Sequence, residues 1–326
     1  METRLLDRAA VDEHAAVADV VDAVAAAFAA DARGDAVMPP KSYVDLPAYG
    51  GDFRAMPAYV DVGDWDAAGV KWVNVHPANP AESGLPTVMA TMIYSDPATG
   101  FPLAIMDGTL LTMRRTGAAA AVATDHLAVA DADSLGLVGA GAQAHAQLGA
   151  IATVRNLREV VVADADDERA RSFAAEYGGD LDVRVGTVSE AGHCDVLSTV
   201  TPVRSPVVGP ADVGEHTHVN AMGADAPGKH ELADEVLRAA KLVIDDYEQC
   251  THSGEINVPW SEGVLDDDDL YATLGEVVVG AVPGREPGDG VTVFDSTGLA
   301  IQDLAAAHVV YDRAGAAGTP VDLLGV

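Results

Sequence analysis

The chain has 326 residues, 49% of them hydrophobic, and carries 51 acidic against 19 basic side chains for a formal charge of −32. Length and apolar content allow two folded domains with substantial cores, and a mean hydropathy of +0.13 argues against a disordered acidic polymer. A field of this sign repels nucleic acid and anionic bilayers, so neither is expected as a partner. A folded chain this acidic is expected in a high-salt organism, where screening shortens repulsion to about 3 Å at 1 M.

The two cysteines, Cys194 and Cys250, form neither a disulfide framework nor a C-x-x-C pair and are expected to pack in the core. The opening METRLLDRAA lacks the apolar centre of a signal peptide. Leu135 to Val154 is uncharged, but its four glycines, two glutamines and His145 make a poor membrane span. A cytoplasmic protein is expected.

In chain order, Val17, Val20, Val21, Val24 and Phe28 recur at three to four residues and predict an amphipathic helix. The pattern breaks at Pro39-Pro40. From Lys41 to about Asp107, short strand-like runs predict a mostly antiparallel sheet; Gly69 to Val75 and Thr87 to Tyr94 are two of them, and Asp96 to Gly100 reads as a turn. After Arg115 the character changes. Thr116 to Ala130 is alanine-rich and helical. Strand-like runs then follow at Leu135–Val138, Val160–Ala163, Val183–Val185, Val196–Val200, His218–Ala221 and Leu242–Ile244. Helical stretches at 142–154, 168–176 and 232–239 alternate with them, which predicts a doubly wound parallel sheet. A last helix is expected near Leu299 to Ala314. Asp266 to Asp269 reads as a solvated acidic loop, and His216-x-His218 as core packing at a strand start rather than zinc ligation.

The sharpest local signal is Gly139-Ala140-Gly141-Ala142-Gln143-Ala144, a G-x-G-x-x-A run directly after a strand and opening a helix. Gly139 permits the tight turn, Gly141 lets a pyrophosphate approach the backbone, and the helix start at Ala142 and Gln143 offers unpaired N–H groups. Asp164, at the end of the next strand, is the candidate ribose ligand. Asp166, Asp167 and Glu168 follow, with no basic residue before Arg169, so a 2′-phosphate is disfavoured and NAD is expected over NADP.

Beyond this turn, the chain resembles the ornithine cyclodeaminase/μ-crystallin family over nearly its whole length, most closely the archaeal alanine dehydrogenase branch. The resemblance rests on Met38 to Lys41, Arg54 to Pro57, Lys71 to Pro77, Asn79-Pro80, Gly84 to Thr87, Thr99 to Leu103, Leu111 to Thr116, the glycine turn, Thr201-Pro202, Gly223 to Lys229, Gly254 to Ile256 and Phe294 to Leu299. It implies an α/β architecture in which a Rossmann-type NAD domain, residues 116–299, is inserted into a mostly antiparallel α+β substrate and dimerisation domain, residues 1–115 plus 300–326. It also implies a homodimer.

Four cations of the first domain, Lys41, Arg54, Lys71 and Arg115, fall on the family's active-site motifs, and the whole chain has only four lysines. By resemblance, Lys41 and Arg54 contact the carboxylate or the carbonyl oxygen of a small amino acid or 2-oxo acid. Lys71 and Arg115 line the same pocket, Arg115 as a bidentate carboxylate ligand. Asp225 matches the family's catalytic aspartate, able to exchange the ammonium proton or activate the water that hydrolyses an imine. Lys41 and Asp225 are thus the candidate catalytic groups, a surface lysine and a turn-former being the bland alternatives. Thr201, Pro202, Val293, Ser296 and Gly298 are expected near the nicotinamide. The resemblance implies reversible NAD-dependent oxidative deamination of L-alanine; cyclodeamination of ornithine, ketimine reduction and non-catalytic binding are the alternatives. The charge alone makes one prediction: size-exclusion chromatography should show a sharp folded peak in multimolar KCl and loss of the fold in dilute buffer, and equal stability in both would contradict salt adaptation.

Overall fold

The computed structural model describes residues 2–179 and 181–325. It divides into two compact units, Met1–Arg115 with Leu299–Val326, and Thr116–Gly298. The strands in chain order are β1 (Thr3–Leu6), β2 (Ala36–Val37), β3 (Ser42–Leu46), β4 (Gly51–Asp61), β5 (Asp66–Val75), β6 (Val88–Ser95), β7 (Pro102–Asp107), β8 (Ser134–Val138), β9 (Glu159–Ala163), β10 (Asp182–Val185), β11 (Val196–Thr199), β12 (His218–Ala221), β13 (Lys241–Ile244), β14 (Leu270–Thr273), β15 (Thr292–Asp295) and β16 (Thr319–Val321).

In the first unit the sheet runs β16-β1-β7-β6-β5-β4-β2, with β3 also on β4. All its pairings are antiparallel except β1 with β7. Alternation along β4 and β5 sorts the two faces. Arg54, Met56, Ala58 and Val60 of β4 are buried, as are Lys71 and Val73 of β5 and Met92 and Tyr94 of β6. Cross-strand register sets Arg54 opposite Val73 and Met56 opposite Lys71, so both cations share the inner face. The helices Val17–Arg33 and Ala300–Ala314 pack together, and the second also lies against β4, β5 and β6. The outer face leaves Trp72 44% and Ile93 37% exposed, with Phe53 stacked on Trp72 at 5.1 Å.

The second unit is an eight-stranded parallel sheet among the described residues, ordered β10-β9-β8-β11-β12-β15-β13-β14. β11, β12 and β15 are buried at every position, as a sheet covered on both faces requires. Sequence order reverses between β8 and β11, which defines the switch point where ligands bind doubly wound sheets. β14 and β15 are not among the strands expected from the sequence. The alanine-rich helix begins at Gly108 rather than Thr116 and ends at Leu127. Asp107, the last residue of β7, caps it by accepting Thr109 N and Leu110 N at 3.0 and 3.2 Å, so strand and helix abut without a loop.

Candidate active site

In the second unit, β8 delivers the glycine turn. Gly139 has φ +102°, and a Cβ there would crowd Val200 O and Thr201 Cγ2 at 3.1 and 3.2 Å, so the turn lies directly against the loop after β11. Gly141 is the N-cap of the helix Ala142–Val154 and has no side chain satisfying that helix end. A Cβ on Gly141 would meet no protein atom within 4 Å. Open space over an uncapped helix N-terminus is what a pyrophosphate needs, so these residues fit a dinucleotide. Gln143 keeps a buried Oε1 without a hydrogen-bond partner among the described residues.

Asp164 follows β9 as expected, but its carboxylate also builds the turn: Oδ2 accepts Ala140 N and Oδ1 accepts Asp166 N, both at 2.8 Å. Arg169, the first cation beyond the acidic run, folds back to Asp164 at 3.7 Å and Asp166 at 3.8 Å. Its charge is thereby opposed by two carboxylates.

Asp225 sits in the turn after β12. Lys229, to which the sequence assigned no role, donates to its Oδ1 at 2.6 Å, a pairing the i,i+4 spacing in Gly223–Lys229 could have signalled. Ser296 and Gly298 follow β15 and converge on buried Asp245, whose Oδ2 accepts Ser296 Oγ, Thr297 N and Gly298 N at 3.1, 2.7 and 2.9 Å. Val293, within β15, is fully buried in the sheet. His218 is buried with its ring nitrogens on Thr292 Oγ1 and Asn220 Oδ1, and burial lowers it to about 3, so it stays neutral. Cys194 and Cys250 are buried, free thiols.

The first unit gathers the cations. Lys71 Nζ lies 2.7 Å from Asp303 Oδ1 and 2.6 Å from Oδ2, and Arg115 Nε donates to Asp303 Oδ1 at 3.0 Å. Arg115 Nη1 reaches Gln302 Oε1 at 3.2 Å. The two cations against one carboxylate leave a buried positive charge, which attracts an anion. Burial pulls Lys71 down to about 7; Asp303 opposes this, while Arg115 and Lys41 reinforce it. Arg54 is paired instead with Asp52, at 2.8 Å through Nε, and lies over the Tyr43 ring at 5.4 Å. Lys41 is half-buried in the segment before β3. Sequence reasoning missed Asp303. Its one signal is a lone acid in the apolar run from Ala300 to Ala307.

The model of the ornithine cyclodeaminase/mu-crystallin family matches residues 1–318. The alanine dehydrogenase of Archaeoglobus fulgidus is 48% identical over 316 residues, 96% of each chain. Among solved structures, an archaeal alanine dehydrogenase dimer with bound NAD superposes with a TM-score of 0.94 at 46% identity, covering 99% of this chain and 100% of that one. The Thermococcus litoralis Delta(1)-pyrroline-2-carboxylate reductase, solved with NADH and L-proline, gives 0.92 at 36% identity, covering 97% and 99%. These relatives are dehydrogenases and reductases.

The two glycines make opposite predictions. Gly141→Ala should leave the melting temperature within about 2 °C yet weaken dinucleotide binding about tenfold by filling the phosphate space. Gly139→Ala, forced into a left-handed backbone, should cost about 1 kcal/mol or more of stability. Thermal melts and a fluorescence titration with NADH check both, and an unchanged affinity in Gly141→Ala would remove the turn from the binding site.

Proposed function

The chain belongs to the ornithine cyclodeaminase/mu-crystallin family, and we propose that it is an NAD-dependent amino-acid dehydrogenase that interconverts L-alanine with pyruvate and ammonium. The observation that carries this is the Lys71–Arg115–Asp303 cluster, a buried site with one positive charge in excess that suits a single carboxylate. The choice of alanine rests on likeness to the Archaeoglobus fulgidus enzyme.

The proposed reaction is L-alanine + NAD⁺ + H₂O giving pyruvate, NH₄⁺, NADH and H⁺. The Gly139–Ala142 turn would hold the pyrophosphate of NAD and Asp164 its ribose, and the bound cofactor would supply the hydride acceptor. Arg115 and Lys71 bind the substrate carboxylate, Arg54 supports that end of the site, and Lys41 polarises the carbonyl oxygen of pyruvate in the reverse direction. Asp225, its charge supported by Lys229, takes the ammonium proton and activates the water that hydrolyses the imine. NAD is favoured over NADP because the acids that follow β9, Asp164, Asp166, Asp167 and Glu168, would repel a 2′-phosphate and Arg169 is already paired. A homodimer is part of the same proposal, supported by the exposed apolar outer face around Trp72 and Ile93. So is a cytoplasmic setting of high salt, supported by the charge of −32. Reduction of a cyclic imine is the second reading, favoured by likeness to the Thermococcus litoralis reductase.

A coupled assay separates the alternatives. Alanine with NAD⁺ should accumulate NADH; ornithine turnover would release ammonia without net NADH; a pure binding protein would do neither. Asp225→Asn should lower turnover roughly 10²-fold or more with NADH affinity nearly unchanged, and normal turnover would take Asp225 out of the mechanism. Lys71 sets a pH dependence. Its positive charge is present below about 7 and lost as pH rises through that value. The KM for pyruvate at saturating ammonium should therefore rise above neutral pH, and Asp303→Asn, which removes the charge that holds the proton on Lys71, should move the inflection to lower pH. A pH-independent KM, or an inflection that persists in Lys71→Met, would contradict this.

A further inference from the structure

The carboxyl ends of β11, β12 and β15 are joined by acids that solvent does not reach. Glu231 is fully buried, and its side chain accepts four hydrogen bonds. Oε2 takes Thr199 Oγ1 at 2.7 Å and Gly223 N at 3.0 Å. Oε1 takes Thr201 N and Thr201 Oγ1, both at 2.7 Å. Thr199 ends β11, Thr201 opens the loop after it, and Gly223 opens the turn after β12. One carboxylate therefore ties two neighbouring strand ends on the side where ligands bind such sheets. The approach is close enough that a Cβ at Gly223 would collide with this carboxylate and with Thr201 O.

Glu231 is itself held. Its own N–H and that of Leu232 donate to Glu255 Oε1 at 2.7 and 2.6 Å. Glu255 N and Ile256 N in turn donate to Asp295 Oδ1 and Oδ2 at 2.8 and 3.1 Å, and Asp295 is the last residue of β15. Each acid is seated on backbone amides of the next segment, in a relay from Asp295 through Glu255 to Glu231. The Gly254-Glu255-Ile256 motif, without a role in the chemistry above, acquires one here. Burial, reinforced by Glu231, raises Glu255 well above the usual carboxylate range, and its Oε2 has no hydrogen-bond partner among the described residues. Burial, reinforced by Asp245, raises Asp295 to about 7.

We propose that Glu231 is a positioning residue for the dehydrogenase reaction: braced by Glu255, it locks Thr201–Pro202 and the Gly223–Lys229 turn that carries Asp225 into one register. This rests on the role given to Asp225 above. Each oxygen of Glu231 accepts one backbone N–H, from Thr201 and from Gly223, so either orientation of an amide at this position would aim an N–H group at an N–H and release one side of the clamp. Asp225 then loses its setting, and a displacement of about 1 Å suffices for a loss of about 10²-fold.

Glu231→Gln, compared with the parent enzyme in concentrated KCl, tests this. The expected result is a kcat lowered about 10²-fold, while the KM for alanine and the Kd for NADH move less than about threefold. The change in affinity stays that small because the Gly139–Ala142 turn, although it packs against Thr201, shares no hydrogen bond with Glu231 among the described residues. Amide hydrogen exchange should quicken at Thr201 and Gly223 but not in β8 or β9. A kcat within about twofold of the parent, or a loss confined to KM, would overturn the proposal. If the parent binds NADH but does not oxidise alanine, the substrate reading fails separately; exchange at Thr201 and Gly223 then decides, and unchanged protection overturns the clamp. Should Glu231→Gln not fold, Thr199→Val removes one of the four donors at similar volume. Its kcat should fall about fivefold at constant KM, and an unchanged kcat is again decisive against the clamp.

Discussion

A parallel sheet ends in a row of backbone groups with no further strand to pair them, and the loops that leave its carboxyl edge are the ones that meet a ligand. In this protein the unpaired amides of that edge are taken up by carboxylates, buried at Asp245 and Glu231 and half-buried at Asp164. Asp164 holds the glycine turn through Ala140 N, Asp245 holds Thr297 N and Gly298 N, and Glu231 holds Thr201 N and Gly223 N. A carboxylate offers about four acceptor sites and no donor, so a single side chain can seat two loops at once. A hydroxyl or an amide oxygen offers only two.

The same logic, with its sign reversed, governs the first unit. Lys71 and Arg115 are buried, and burying a cation unpaired is expensive. Asp303 offsets part of that cost for both, but one negative charge cannot neutralise two positive ones. The site is left under-compensated, which is the condition in which an incoming carboxylate gains most and in which Lys71 sits near neutrality. A fully matched ion pair there would be a structural element with nothing to bind.

What was legible in the sequence was whatever is encoded locally. The period of the Val17–Arg33 helix, the alternation of strands and helices after residue 130, and the glycine turn each depend on residues within one or two turns of chain. The cations on the inner face were legible only through family motifs. What organises them was not: Asp303 is 232 residues from Lys71, and Glu231 lies 30 residues from Thr201. In a chain with 51 acids, the five that are buried among the described residues are not distinguishable by composition. The early start of the helix at Gly108 was hidden for a related reason, since its capping Asp107 belongs to the preceding strand.

These inward acids also explain how an extreme net charge and a packed interior coexist. Surface carboxylates are hydrated, repel one another and are screened by salt. The buried ones answer to different physics, because each is satisfied by amides and hydroxyls or, like Asp303, by cations, and burial raises Glu255 well above the usual carboxylate range. A mutation that adds or removes a surface acid changes the first population and leaves the second untouched. Changing Glu231, Asp245 or Asp303 alters the geometry of the loops and cations directly, at nearly constant net charge. Surface charge and site architecture thus draw on the same residue type while remaining separable, and burial decides which of the two a given acid serves.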